Sequence, residues 1–504
     1  MASVPCLVSL SLCLLVLSHA CSAQLEQVTS QHGWTRVRGE QRRGEGYSLD
    51  ECQFSRLSAR EPDRRLTSEA GVTDVWDEND DQFRCAGAAA LRHTIEERGL
   101  LLPAYTNAPK LVYVDQGQLH CIFAGQGYHG AAIPGCAETF QSQEESQQQQ
   151  DPRQGFRDQH QKIRKVREGD VIALPAGVAD WFYNDAQTPL VLVQIMDTSN
   201  PANQLDNNFR KFFLAGNPQQ QIQGQRGQFS GQGFQRGESQ SQSRRGGSGG
   251  QEQRSGNIFQ GFDEQFLAEA FNVDTDLARR MKNENDNRGV IVRVEDRLQF
   301  LTPEFSEEER SEYQRGRPAN GVEETFCSAR LKQNINDPSR ADVYNPRAGR
   351  ITSVNSHNLP ILRSLRLSAQ KGHLYQNAIM APHWNINAHS ICYFTRGTGR
   401  VQIVDENGRS VFDGEVREGQ ILTAPHNFAV VKRAGGEGLE WVAFKTNDQA
   451  KISQLAGRVS SMRAFPEEVI ANSFQVSREE ARRLKFNRDE VTLFSPGSRS
   501  QYRA

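Results

Sequence analysis

The feature that most restricts how this chain folds is that it contains the same strings twice, in the same order. Val166-Arg167-Glu168-Gly169 returns as Val416-Arg417-Glu418-Gly419, and each copy places a proline six residues after its glycine, at Pro175 and Pro425. Asn107-Ala108 and Gly117 return 280 positions later as Asn387-Ala388 and Gly397. Phe271-x-Val273 followed by Ala278-Arg279-Arg280 returns as Phe474-x-Val476 followed by Ala481-Arg482-Arg483. One such match means little. Three in a fixed order indicate a duplicated unit in which a β block precedes a helical segment, and 504 residues leave room for two such units, each with its own core.

Alternating or continuous apolar runs, punctuated by Gly and Pro, predict strands within 110–122, 170–184 and 189–197, and within 390–416, 420–432 and 439–445. Asn407-Gly408 sits between two strand-like runs and predicts a hairpin turn with φ > 0 at both residues. Phe262, Phe266, Leu267, Ala270 and Phe271 share one face at helical period, and Ser477 with Glu480 forms a capping box opening a helix over 478–485. An amphipathic helix after a β domain ordinarily covers it. The same helical pair in both copies could equally dock a second subunit.

Residues 1–23 read as a secretory signal peptide, an apolar run from Leu7 to Leu17 ending in small residues suited to cleavage between Ala23 and Gln24. The run is too short to span a bilayer, which takes about 20 residues, so no membrane association is expected. Three cysteines leave with the signal. Cys52, Cys85, Cys121, Cys136, Cys327 and Cys392 remain, and in an oxidising compartment several pairings stay open.

Segments 141–161, 217–256 and 283–320 hold few apolar groups and are expected to lie outside any core, the last as a charged flexible linker. They leave an N-terminal domain over 24–282 and a C-terminal one over 321–504. Arg-Gly pairs in 217–256 resemble RNA-binding repeats, but aromatic interleaving is thin there (Phe229, Phe234) and the net charge of the whole chain is only −2. A nucleic-acid partner is therefore not expected. The composition instead loads nitrogen, with 46 Gln and 48 Arg against 11 Lys.

Gly169, Pro175, Gly177 and Asn184 stand at the spacing of the second signature of the cupin β-barrel, with Asp180 where that signature carries a metal-binding histidine. The second copy keeps Gly419 and Pro425, then reads Asn427, Val430 and Ala434. At the first signature, the ligand positions read Pro103, Tyr105 and Lys110 in copy one and His383, Asn385 and Ser390 in copy two. The fold class expected is thus mainly β, a duplicated cupin jelly-roll, each barrel followed by a small helical extension. Oxygen or water activation needs three or four N/O ligands on one ion. Neither copy supplies them, so no cofactor, no metal and no catalytic residue are expected. A metal-dependent bicupin enzyme such as an oxalate decarboxylase is the disfavoured alternative, and a non-catalytic small-molecule-binding cupin a second.

The sequence resembles the legumin-type (11S) seed storage globulins over nearly all of the mature chain. The string Asn320-Gly321-Val322-Glu323-Glu324-Thr325-Phe326-Cys327 carries the resemblance, with Pro134-Gly135-Cys136, Phe213-Leu214-Ala215-Gly216-Asn217 and Asn257-Ile258-Phe259-Gln260-Gly261-Phe262. The resemblance implies a nutrient reservoir delivered through the secretory pathway to the protein storage vacuole of the seed. It implies cleavage between Asn320 and Gly321 by a vacuolar asparaginyl endopeptidase, and disulfides Cys52–Cys85 and Cys136–Cys327, the latter joining the cleaved chains. It also implies homo- or hetero-oligomers with related globulin subunits, a trimeric precursor and a mature hexamer. Charge supports a meaningful division at that point, because residues 321–504 carry +7 and the remainder −9. Cys121 and Cys392 lie in apolar runs and read as buried free thiols.

Overall fold

The computed structural model describes residues 52–116, 127–133, 163–218, 256–298 and 329–496, together with the paired strands Thr139–Phe140 and Gln159–His160. Two antiparallel β-barrels make up most of it. The first is built from two sheets. One runs Arg64–Ser68, Gly71–Val75, Ala88–Ile95, Leu190–Asp197, Lys110–Gln116 and Asp170–Leu174, with Lys332–Asn334 added at its edge. The other runs Lys211–Phe213, Gly99–Thr106, Ala179–Asn184, Gly127–Ala132 and Arg164–Val166, with Ile291–Arg293 also paired to Gly99–Thr106. Beyond the meander Arg64–Ser68, Gly71–Val75 and Ala88–Ile95, neighbours in space are distant in sequence, as in a jelly-roll.

Strand alternation assigns each side chain to one of two cores. Val112, Val114, Ile172, Leu174, Phe182 and Leu192 fill the first barrel. Leu111, Tyr113, Val171, Ala173, Val193 and Ile195 face outward into a second core shared with Ile391, Tyr393, Ile421, Val442 and Phe444 of the other barrel. The strands are apolar on both faces because both faces are buried, which is why they read as continuous runs.

The second barrel repeats the plan in one sheet whose longest members are Ser390–Val404 and Ala429–Lys445. Register shifts between Phe394 and Arg396 and between Gly397 and Gly399 let the first of these bend around the barrel. The duplication is visible in the interface. The Lys371 ammonium donates to the Tyr113 hydroxyl at 3.0 Å, and Arg92 donates at 3.2 Å to Tyr393, the counterpart of Tyr113 280 positions later. Where copy one uses Gly177 at φ 77°, copy two has Asn427 at φ 67°, a residue type that tolerates the left-handed region.

Several expectations change. The Asn407-Gly408 hairpin forms, but only Gly408 has φ > 0. Asp405 Oδ1 accepts from the N–H groups of Asn407 and Arg409 at 2.9 and 2.8 Å, and a register shift follows at Val404. The aspartate thus stabilises a longer turn with one left-handed residue. The linker expected from residue 283 instead carries the strand Ile291–Arg293, in which Ile291 and Val292 are buried together with the preceding Val290. The helix face drawn from Phe262, Phe266 and Phe271 does not cover the barrel. In Glu264–Phe271 it is Leu267 and Ala268 that turn inward, and those three phenylalanines stay exposed. The capping box of Ser477 and Glu480 is present, opening Arg478–Phe486.

Cys52 and Cys85 are joined, with Cα atoms 4.9 Å apart. Cys392 is a buried free thiol. Ala23, Gln24, Cys121, Cys136, Asn320, Gly321 and Cys327 lie outside the described residues. Among the described residues no helix is long and apolar enough to cross a membrane.

Candidate functional site

The signature positions of the first barrel converge only in part. Lys110 opens the strand Lys110–Gln116, and Asp180 lies on Ala179–Asn184 in the facing sheet. Both point inward, and their side chains meet in a direct ion pair, the lysine 1% and the aspartate 5% exposed. The ammonium occupies the space in front of the carboxylate that a metal ion would need. His129 Nε2 stands 3.9 Å from the other carboxylate oxygen, its ring 4.5 Å from that of Phe182. Burial pulls its pKa down to about 4, so the ring is neutral near pH 7 although Asp180 favours the proton. Tyr105 does not enter the site. It stacks on Phe212 at 4.9 Å, and Pro103 serves the backbone by accepting from the Leu214 N–H at 2.9 Å.

In the second barrel His383 and Asn385 come from Ile379–Asn385 and are both buried. His383 Nδ1 lies 2.7 Å from the Ala381 carbonyl, so that nitrogen donates. Desolvation, reinforced by Lys432, lowers its pKa to about 3. Asn385 Oδ1 accepts from the Lys445 ammonium at 2.7 Å, while Asn385 Nδ2 is buried without a partner. Lys432 sets its ammonium 4.7 Å from the Trp441 ring centroid, a cation–π contact. Ser390 Oγ meets Cys392 Sγ at 3.6 Å, and Val430 pairs across from His383.

This donor set does not fit a metal centre. One imidazole and one amide remain in the second barrel, beside two lysines whose charge opposes a dication. In the first barrel the one carboxylate is already taken by Lys110. Among the described residues no three His, Cys, Asp or Glu side chains cluster to hold an ion.

Sequence reasoning did not single out Lys432, Lys445 or His129. The signal available was lysine scarcity. In a chain with 11 lysines, Lys110, Lys282, Lys371, Lys432 and Lys445 are all buried in the described structure. Lysine is otherwise almost never buried without a partner. A lysine inside an apolar strand run, as in Trp441-Val442-Ala443-Phe444-Lys445, therefore implies a polar partner across the barrel.

The Cupin family matches residues 57–220 and 333–482, one match per barrel. The chain is 51% identical to the 11S globulin of Juglans nigra and 50% identical to the 11S globulin seed storage protein 1 of Carya illinoinensis, covering 99% and 98% of each partner and the same shares of itself. This chain belongs to the 11S seed storage globulins. Its barrels superpose on the crystal structure of pumpkin seed globulin with a TM-score of 0.73 at 47% identity, over 89% of this chain and 100% of the other. For the coconut allergen cocosin the TM-score is 0.72 at 45% identity, over 88% and 100%. Like its family, this globulin is a non-enzymatic member of the cupin superfamily. The lysine–aspartate pair in one barrel and the lysine-bonded amide in the other, where a ligand set would stand, give that a physical basis.

Proposed function

We propose that this globulin is a nutrient reservoir, deposited in the protein storage vacuole and degraded at germination for its nitrogen, carbon and sulfur. The observation that carries the reading is the replacement of both candidate metal centres by buried lysines on the scaffold of a storage family. Neither barrel keeps an intact set of ligands at the signature positions, while 46 Gln and 48 Arg keep the chain rich in nitrogen.

The precursor enters the secretory pathway, loses residues 1–23, and is cut between Asn320 and Gly321 by an asparaginyl endopeptidase. Cys136–Cys327 then links an acidic chain to a basic one. Assembly runs through a trimeric precursor to a hexamer. In support, both helical extensions present apolar side chains to solvent, Phe262, Phe266 and Phe271 on one and Phe465, Phe474 and Leu484 on the other. Six exposed large side chains on two duplicated surfaces favour docking between subunits. The test is electrophoresis of seed protein under denaturing conditions with and without reductant. One linked species is expected, separating on reduction into chains that begin at Gln24 and Gly321. N-terminal sequencing that finds a different start for the basic chain removes the processing step.

A second reading, small-molecule binding, draws on a cavity of about 240 Å³ at the first barrel, lined by Trp76, Leu91, His93, Phe209, Lys211 and Phe213. The solved 11S globulin from Wrightia tinctoria, 42% identical with a TM-score of 0.73, is described as revealing an auxin binding site. Calorimetric titration of this globulin with an auxin decides it. A flat isotherm removes auxin binding as a second function.

A further inference from the structure

We infer that each half of this globulin straps the other's barrel, with a short edge strand in one direction and a buried segment held by a single β-bridge in the other, so that the cleaved chains stay clasped without a disulfide between them. The inference rests on the Asn320–Gly321 cut for its biological setting, but the geometry stands apart from it.

The residues before the cut reach the second barrel. Starting from Cys52, tied to Cys85 on the helix Asp81–Ala86, the chain leaves its own barrel and lies against the other. Phe54 and Leu57 are buried in the second barrel's core, 6% and 3% exposed, with Phe54 edge-on to Phe428 at 6.3 Å. The Leu57 N–H donates to the Val411 carbonyl at 2.7 Å. Arg60 and Ile421 exchange both backbone hydrogen bonds, at 2.7 and 2.8 Å. Glu61 then pairs with Arg417 at the surface.

The residues after the cut do the reverse. Lys332–Asn334 pairs with Asp170–Leu174 in the first barrel, in register Asp170 with Asn334 and Ile172 with Lys332. The Ala173 N–H donates to Leu331 at 2.7 Å and the Ile335 N–H to Gly169 at 2.8 Å. Lys332 Nζ reaches Asp170 at 2.7 Å, and Ile335 is buried in the core between the barrels.

Both straps lie clear of residues 320 and 321, so the cut removes none of these bonds. Pulling the chains apart would strip the edge strand Lys332–Asn334 from the first barrel, break the Arg60–Ile421 bridge on the second, expose Phe54, Leu57 and Ile335, and open the shared apolar face. Unpaired edge donors and acceptors make that costly. Reduction alone is therefore not a disassembly signal for this protein. Proteolysis of a strap is.

The test uses the full chain with a specific-protease site placed between Asn320 and Gly321 and with Cys136→Ser, so that neither natural processing nor the disulfide enters. After cutting, native size-exclusion chromatography should return both new N-termini in one folded peak, and denaturant should split them. Two peaks in native buffer overturn the inference. Arg60→Pro, which deletes the donor to Ile421, and Lys332→Glu, which opposes Asp170, then separate strap from face. Combined, they should raise at least tenfold the protein concentration at which the cut chains half-dissociate, while the uncut variant remains folded by circular dichroism. No change in that concentration shows that the shared face alone holds the chains and also overturns the clasp. If natural processing proves to occur elsewhere, the reservoir's maturation scheme fails while this result stands.

Discussion

The two barrels share a backbone plan and differ in how each neutralises a buried lysine. In the first, Lys110 meets a full opposite charge on Asp180, with neutral His129 beside the pair. In the second, Lys445 has only the carbonyl oxygen of Asn385, and Lys432 only the face of Trp441. A full charge pair is strong but brittle, because either partner alone is a buried ion in a poor solvent. An amide contact is weaker, and its lysine gives way by titrating instead. Burial lowers Lys445 to about 8.

That contrast predicts its largest effect at Asp180. Asp180→Asn keeps the shape and strands the Lys110 ammonium, which should cost about 3–5 kcal/mol in chemical denaturation. Lys110→Met together with Asp180→Leu should restore most of the loss, because both buried charges then disappear. A single substitution that costs under about 1 kcal/mol would mean that the pair is solvated, and the comparison would collapse.

Acid probes the histidines next. His129 at about 4 and His383 at about 3 both lie below the ordinary value near 6.5, so the unfolded chain binds protons that the folded chain refuses. Their contribution is complete above pH 6.5 and is lost as pH falls. The loss ends near pH 4 for His129, whose proton Asp180 supports, and nearer 3 for His383, which faces two lysines. Over pH 6.5 to 5, above most carboxylate titration, each should cost about 2 kcal/mol. His93, also buried and lowered, adds to the same slope. Urea unfolding of His383→Gln across that window should show a shallower pH dependence than the parent. An unchanged slope would place the ring in contact with water.

How much of this was readable beforehand follows from where the forces are local. The duplicated strings marked both barrels because tight turns constrain residue type at fixed spacing, as Pro175-x-Gly177 and Pro425-x-Asn427 illustrate. The strands followed from unbroken apolar runs, and the capping box of Ser477 from a four-residue pattern. The loss of ligands was equally legible, position by position. What replaced them was not. Lys110 with Asp180 spans 70 residues and Lys445 with Asn385 spans 60, so those partnerships exist only once the sheets are assembled. The straps failed for the same reason, since Leu57 with Val411 is a contact that no periodicity encodes. The exposed phenylalanines misled in another way. Helical period identifies an apolar face but not whether its cover is the same chain or another one.

The smallest effect has the opposite sign and discriminates most sharply. Lys445→Met alone leaves Asn385 Oδ1 buried without its donor, and Asn385→Leu alone leaves the ammonium without an acceptor, so each should destabilise slightly. Together they remove a desolvated cation and an amide whose Nδ2 already lacks a partner. The double variant should therefore be more stable than the parent by about 1 kcal/mol at pH 7, where Lys445 still carries the proton that burial disfavours. The sign follows from linkage. With a folded value near 8 and an unfolded value near 10.4, the parent gains stability as pH rises between the two, because only the unfolded chain still holds the proton. The advantage of the double variant should shrink across that same range. If the advantage of the double variant stays constant from about pH 8 to about 10.4, burial does not drive the proton from Lys445, and the contrast drawn for the second barrel fails.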